Sequence, residues 1–339
     1  MTRARNHADR PGHRPMLLVG LPRSGTTWVA RSLESAGSVD LVLEPDNEGF
    51  HPLAYGYKRS HRFPASTDYA VSGLPTVFDR AARGWCGDPR TRLLMKAIGR
   101  RRWQLEDWIG TQCGDAGYGH PPTGCRQSDP DAGRHPLVRA CRSVMPVIGR
   151  PRRRRLIKTV HAVRTVEPIV EQIDADVILV VRNPFAVVAS LSRRIPLSNW
   201  PEPQANADRY RGLPACRIEA EPHTQVARQC AYLLGHLARL SAAHPTWTLV
   251  AHDQLCRAPA DELPDLADRL GLGSADRVRQ AVIANDRPGA GYETRRPSRE
   301  QIDAWKQELT DDQIAVIGAE VQSGGLWPFL ESIGATGDR

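Results

Sequence analysis

Five short apolar runs punctuate the chain: MLLVG (16–20), VDLVLEP (39–45), RLIKTV (155–160), DVILVVR (176–182) and WTLVAH (247–252). Their length and branched side chains predict buried β-strands. The first ends in glycine and the second is stopped by Pro45. The fourth is apolar on both faces, as a central parallel strand must be. Between them the period changes. Trp28, Val29 and Leu33 recur at helical spacing, with Gly37 just past the end. Helices are likewise predicted over 90–110, 163–173, 184–194 and 223–243, and over most of the chain after 252. The run at 184–194, PFAVVASLSRR, carries proline in its first turn, where a missing N–H costs nothing. Strand and helix alternate without internal repeat. This predicts one α/β domain over 15–333, with a central parallel sheet covered on both faces. Three stretches interrupt the alternation, at about 46–88, 113–150 and 195–221. They are expected to be irregular insertions around an acceptor site, with 113–136 a mobile Gly/Pro/Asp-rich loop. Residues 1–14 are basic and polar and are expected to be a disordered tail.

Composition narrows the setting. The sequence has no run of 18 apolar residues, so no membrane-spanning helix is expected. MLLVGL is too short for a signal-peptide core. Seven cysteines are scattered without a C-x-x-C pair, which argues against a disulfide framework and against a zinc site, and fits a reducing cytoplasm. A net charge of +8 favours anionic ligands. The run RPRRRR (150–155) is expected to be a solvated lead into a strand.

The segment VGLPRSGTTWVA (19–30) carries the chemistry. Gly20 and Gly25 stand five apart between a predicted strand and a predicted helix, followed by Thr26 and Thr27. A helix N-terminus offers unpaired N–H groups and partial positive charge to an anion. Gly25 lets the backbone approach, Ser24, Thr26 and Thr27 add hydroxyls, and Arg23 adds a forked cation. An NTP-binding loop has lysine where Thr26 stands here, and needs an aspartate at a strand end to hold magnesium. The second and fourth strands end without one. An atypical kinase is therefore disfavoured. A basic nucleic-acid module is disfavoured too, because the arginines form isolated runs without interleaved aromatics.

A second stretch, VVRNPFAVVASLSRR, places Arg182 at a strand end and Ser190 in the following helix. This pair resembles the 3′-phosphate signature of sulfotransferases that use 3′-phosphoadenosine 5′-phosphosulfate (PAPS), and PRSGTTW resembles their 5′-phosphosulfate loop. LVAHDQLCRAP (249–259) and RRPSREQIDAWKQELTDDQIAVI (295–317) are similar to later segments of the family, so the resemblance spans about 16–320. It implies a P-loop-like three-layer α/β/α fold and PAPS as co-substrate, with no metal required. It implies that Arg23, Ser24, Gly25, Thr26 and Thr27 hold the phosphosulfate end, Arg182 and Ser190 the 3′-phosphate, and that Trp28 also belongs to the cofactor site. The missing lysine then has a reason: PAPS has no γ-phosphate to grip.

Sulfuryl transfer needs a general base for the acceptor proton and cations for the leaving phosphate. Glu44, 21 residues after Arg23, resembles the catalytic glutamate of the carbohydrate and tyrosylprotein branches. The cytosolic branch instead carries Lys-Thr-His; here Lys158 and Thr159 match, but Val160 takes the histidine place and His161 comes one step late. One step along a strand reverses the facing, so His161 is expected to point away. Glu44 is thus the first candidate base, His161 the second and Glu48 a third. Lys158 is a candidate to neutralise the transferring group. Asp253 stands where the family has glutamate. Arg296, ahead of Arg287 and Arg295, is the candidate that closes over the 3′-phosphate. The implied acceptor is a hydroxyl or amine of a small molecule, glycolipid or carbohydrate.

Overall fold

In the computed structural model, five of the apolar runs form parallel strands: β1 (Met16–Gly20), β2 (Val39–Leu43), β3 (Arg154–Thr159), β4 (Asp176–Val181) and β5 (Thr248–Ala251). The structure describes residues 14–46, 63–70, 74–83, 153–192, 222–287 and 297–336. The sheet order is β2-β3-β1-β4-β5, so β1 lies in the middle between β3 and β4. Leu17 is in register with Ile157 on one side and Val177 on the other. Leu43 is in register with Lys158.

Alternation along the strands divides the core in two. Leu17, Val19, Ile157 and Leu179 face one side. Met16, Leu18, Leu156, Ile178 and Val180 face the other. Helix α1 (Thr26–Glu34) closes the second face with Val29, Ala30 and Leu33. On the first face stand α2 (Ser66–Tyr69), α3 (Leu74–Ala82), α4 (Val166–Ile173), α5 (Pro184–Ser192) and the long α6 (Pro222–Ala243). After β5 the chain forms α7 (His252–Arg257), α8 (Pro259–Arg269) and α9 (Ala275–Asn285), the last two packing beside α1. Helices α10 (Glu300–Asp303), α11 (Asp311–Ser323) and α12 (Trp327–Ser332) follow; α11 lies against α6. The result is a three-layer α/β/α arrangement with a five-stranded parallel sheet.

Two expectations are corrected here. Residues 74–82, inside a stretch without evident period, form a helix that buries Leu74, Val77, Phe78 and Ala81, the i, i+3, i+4, i+7 stripe of a core-facing helix. The flanking His, Pro and Gly residues mask that stripe in the sequence. The last two arginines of the RPRRRR run, Arg154 and Arg155, are drawn into the sheet and not solvated, whereas Arg153 is exposed and Arg150 and Arg152 lie outside the described residues. Arg155 is buried and pairs with Asp40 of β2. Arg154 pairs with Asp176 of β4 and donates to the carbonyls of Leu270 (3.0 Å) and Arg14 (2.6 Å). β3 starts at Arg154, so its first side chains are carried into the sheet beside two carboxylates that the sequence places far away. The expectations for residues 1–13, 90–110, 113–150 and 195–221, and for Glu48, Arg295 and Arg296, lie outside the described residues.

Candidate active site

The strand order creates the site before any side chain is considered. The helix after β1 packs on one face of the sheet, while α4 after β3 and α5 after β4 pack on the other. Connections that leave neighbouring strands toward opposite faces open a crevice at the carboxyl ends of those strands. The 20–25 loop leaves β1 into that crevice. Gly20 permits the loop to fold back: a Cβ there would come within 2.6 Å of the Val180 carbonyl and of Ser24 Oγ. Gly25 has φ +81°, and a Cβ on it would stand 2.1 Å from the His252 ring. Gly25 immediately precedes α1 and offers it no side-chain cap, which suits the helix start to an external anion. The Ser24 hydroxyl donates to the Leu21 carbonyl at 2.7 Å and so holds the turn closed.

Arg23 takes a left-handed φ of 72°, uncommon for a side-chain-bearing residue. Its Nε donates to Ser190 Oγ of α5 at 2.9 Å. Arg182, just past β4, donates to the Arg23 carbonyl at 3.0 Å and to the Gln301 carbonyl of α10 at 3.1 Å. The sequence reading divides these residues between two ends of a ligand. The structure gathers Arg23, Arg182 and Ser190 into one cluster at the N-terminus of α1. Arg182 further ties the phosphate-type loop to the C-terminal segment. Trp305 of that segment is buried and stacks on Phe185 of α5, ring centroids 4.6 Å apart. Arg287 is exposed at the end of α9.

A second cluster lies at the ends of β2 and β3. Glu44, one residue beyond β2, has φ 43°; its N–H donates to the Lys158 carbonyl at 2.7 Å, and its carboxylate pairs with Lys158 Nζ. Lys158 is 2 % exposed, so this ion pair is shielded from solvent. His161 does not lie on the strand at all. β3 ends at Thr159, and His161 sits in the turn before a 3-10 helix (Ala162–Thr165), with its ring edge-on to Phe63 at 5.6 Å. Phe63 belongs to the first face of the core, whereas Lys158 has the parity of Leu156 on the second. The geometry therefore brings Glu44 and Lys158 together and sets His161 against a different wall.

Two residues beside the crevice were missed or undervalued in the sequence. His252 opens α7 at the carboxyl end of β5, buried under Gly25 and edge-on to Trp28 at 5.5 Å. Asp253, fully buried, accepts from the Asn183 N–H at 3.3 Å, fixing the turn that carries Arg182. A polar residue closing an apolar strand run was the available signal for both. Cys256 lies one helical turn on, its thiol pushed up to about 12 chiefly by burial, so it is a neutral neighbour and not a nucleophile.

Burial first, then the Arg182 charge, holds the His252 imidazole below its ordinary 6.5, against the opposing pull of Asp253. Below that ordinary value the unfolded chain binds a proton that the folded chain refuses. Stability is therefore full above about pH 6.5 and lost as pH falls toward the depressed folded value. The urea midpoint of the protein is expected to drop on acidification through this window, and His252→Gln should make the drop shallower. His236, also depressed first by burial, keeps part of the slope in that variant. An unaltered slope in His252→Gln would contradict the burial-driven account.

A family model described as "Sulfotransferase family" matches residues 15–276. Among solved structures, the sulfotransferase domain of the Synechococcus PCC 7002 olefin synthase is similar at 14% identity and TM-score 0.36, covering 92% of this chain and 96% of that one. The sulfotransferase STF9 from Mycobacterium avium is similar at 14% identity and TM-score 0.39, covering 89% of this chain and 78% of that one. A search of curated proteins gave no match.

Proposed function

Because the chain belongs to the sulfotransferase family, we propose that it moves a sulfuryl group from PAPS to a hydroxyl or amine of a small-molecule, glycolipid or carbohydrate acceptor. The observation that carries the donor assignment is the Arg23–Ser190–Arg182 cluster at the start of α1. Two guanidiniums, a hydroxyl and first-turn N–H groups form a donor set suited to a ligand with phosphate at both the 5′ and 3′ positions. Arg23, Ser24, Thr26, Thr27 and Trp28 would line the phosphosulfate end; Arg182 and Ser190 would take the 3′-phosphate. Binding in this way exchanges the contacts of Arg182 with main-chain carbonyls for stronger ones with a dianion.

Glu44 would accept the proton of the acceptor as its oxygen or nitrogen forms a bond to sulfur. The bond from sulfur to the 5′-phosphate oxygen breaks, and 3′,5′-adenosine bisphosphate leaves with the electron pair. Lys158, already held by Glu44, would supply positive charge beside the transferring group, and Arg23 would supply it at the leaving phosphate. Among the described residues no group of His, Cys, Asp and Glu has the geometry of a metal site, and none of these steps calls on one. No helix of the described residues is long and apolar enough to cross a membrane. The buried free thiols of Cys230 and Cys256 support a reducing, cytoplasmic setting.

The deciding measurement is thermal stabilisation in magnesium-free buffer. At 100 times its dissociation constant, 3′,5′-adenosine bisphosphate should stabilise the protein by about 2.7 kcal/mol. ATP should do far less. In a parallel series with magnesium, stabilisation by Mg–ATP and not by the bisphosphate would overturn the donor assignment and favour a kinase.

A further inference from the structure

Resting on the functional reading above, we infer that Asp46 is a positioning residue for the transfer site: by gripping Thr159 it holds Glu44 in its left-handed backbone conformation against Lys158. Asp46 is 0 % exposed, and both its carboxylate oxygens accept from Thr159 Oγ1, at 2.8 and 2.9 Å. The same hydroxyl oxygen accepts the N–H groups of His161 (3.2 Å) and Ala162 (3.3 Å). The single proton of Thr159 thus goes to Asp46, and its lone pairs cap the turn that follows β3.

The consequence falls on Glu44. Positive φ is rare for a residue with a side chain and is sustained only where the surroundings over-determine it. Glu44 is fixed on both flanks. Before the bend, its N–H continues the β2–β3 ladder to the Lys158 carbonyl at 2.7 Å. After it, the buried Pro45 has a ring-locked φ and Asp46 is anchored to Thr159. Glu44 and Asp46 therefore grip Lys158 and Thr159, two consecutive residues of the neighbouring strand. Were Asp46 released, the bend could relax to an ordinary φ and swing the Glu44 carboxylate away from Lys158. A buried carboxylate is costly unless well hydrogen-bonded, and a fold that needed only a turn here would not require one. Asp46 acts through Glu44 and does not itself touch substrate.

The test uses the full chain, with Thr159→Val, which removes the hydroxyl, and Thr159→Ser, which keeps it. Asp46→Ala/Thr159→Val removes both partners, leaves no orphaned carboxylate and stays informative should Thr159→Val not fold. Hydrogen exchange is followed on the peptide containing Glu44, whose amide reports its bond to Lys158. Thr159→Val and the double variant should lose protection there while β1 and β4 keep theirs; Thr159→Ser should match the wild type. Turnover is followed as 3′,5′-adenosine bisphosphate released from PAPS, with water and a panel of simple phenols and sugars as acceptors. Thr159→Val and the double variant should lose about 10- to 100-fold in kcat at an unchanged KM for PAPS, as expected for a misplaced reacting group. Glu44 protection equal to wild type in both would overturn the inference, as would loss through KM alone. A wild type that turns over PAPS with none of these acceptors would count against the functional reading instead, and the exchange experiment would still decide the role of Asp46.

Discussion

Replacing Glu44 by glutamine is expected to lower kcat by ~10²–10⁴, the usual contribution of a positioned acid–base group, and to leave bisphosphate affinity unchanged. Glutamine has the same shape and still offers a carbonyl oxygen to Lys158, but it cannot take a proton. The phosphate-type loop leaves β1, and its Arg23 bonds Ser190 of α5 through the side chain and Arg182 through the carbonyl. A pure base defect should thus appear in turnover and not in binding. Loss of the carboxylate also leaves Lys158, 2 % exposed, with a weaker partner. Removing one member of a buried pair costs up to about 3–5 kcal/mol, so bisphosphate binding doubles as the control that the variant is folded. His161→Ala is the internal comparison. With its ring against Phe63 and its backbone in a turn, His161 should matter much less to turnover. Abolished activity in His161→Ala, beside near-normal activity in Glu44→Gln, would move the base to histidine.

Arg182→Ala carries the second large effect. A charge-assisted contact between guanidinium and a buried anion is worth about 2–5 kcal/mol when truncated, so bisphosphate binding should weaken by roughly 30- to 4,000-fold. Arg182 also holds the Arg23 carbonyl and the Gln301 carbonyl, and the loss therefore includes some loosening of the loop. Calorimetry with adenosine 5′-phosphosulfate, which lacks the 3′-phosphate, separates the two contributions. Loosening alone would weaken both ligands equally. Loss of a 3′-phosphate contact weakens the bisphosphate far more, and equal losses would remove Arg182 from that role.

The parts of this protein written in local pattern were legible without coordinates. The five apolar runs, the glycine-framed loop before a helical period, and the Arg182–Ser190 spacing are each set within about a dozen residues. Sterics and burial act at that range, so the α/β alternation, the parallel sheet and the family followed. Strand ends were less secure: β2 stops at Leu43, β3 at Thr159 and β5 at Ala251, each a residue or more before its apolar run ends. Those few residues decide how Glu44, His161 and His252 are presented, because beyond the last ladder bond the alternation of facing no longer applies.

What only the tertiary structure decided was proximity across long separations. Arg23 meets Ser190 across 167 positions, and Lys158 meets Glu44 across 114. Both depend on the order β2-β3-β1-β4-β5, in which a strand from mid-chain inserts between the first two. That order follows from burying both faces of the sheet at once, a global requirement with no local signature. It turns Arg155 and Arg154, the first residues of β3, onto Asp40 and Asp176, and it seats Asp46 on Thr159 and His252 beneath Gly25. The sequence determined which chemistry the chain carries. The packing of β3 between β2 and β1 determined which of those groups can act together, since charge and hydrogen bonding work only over a few ångströms.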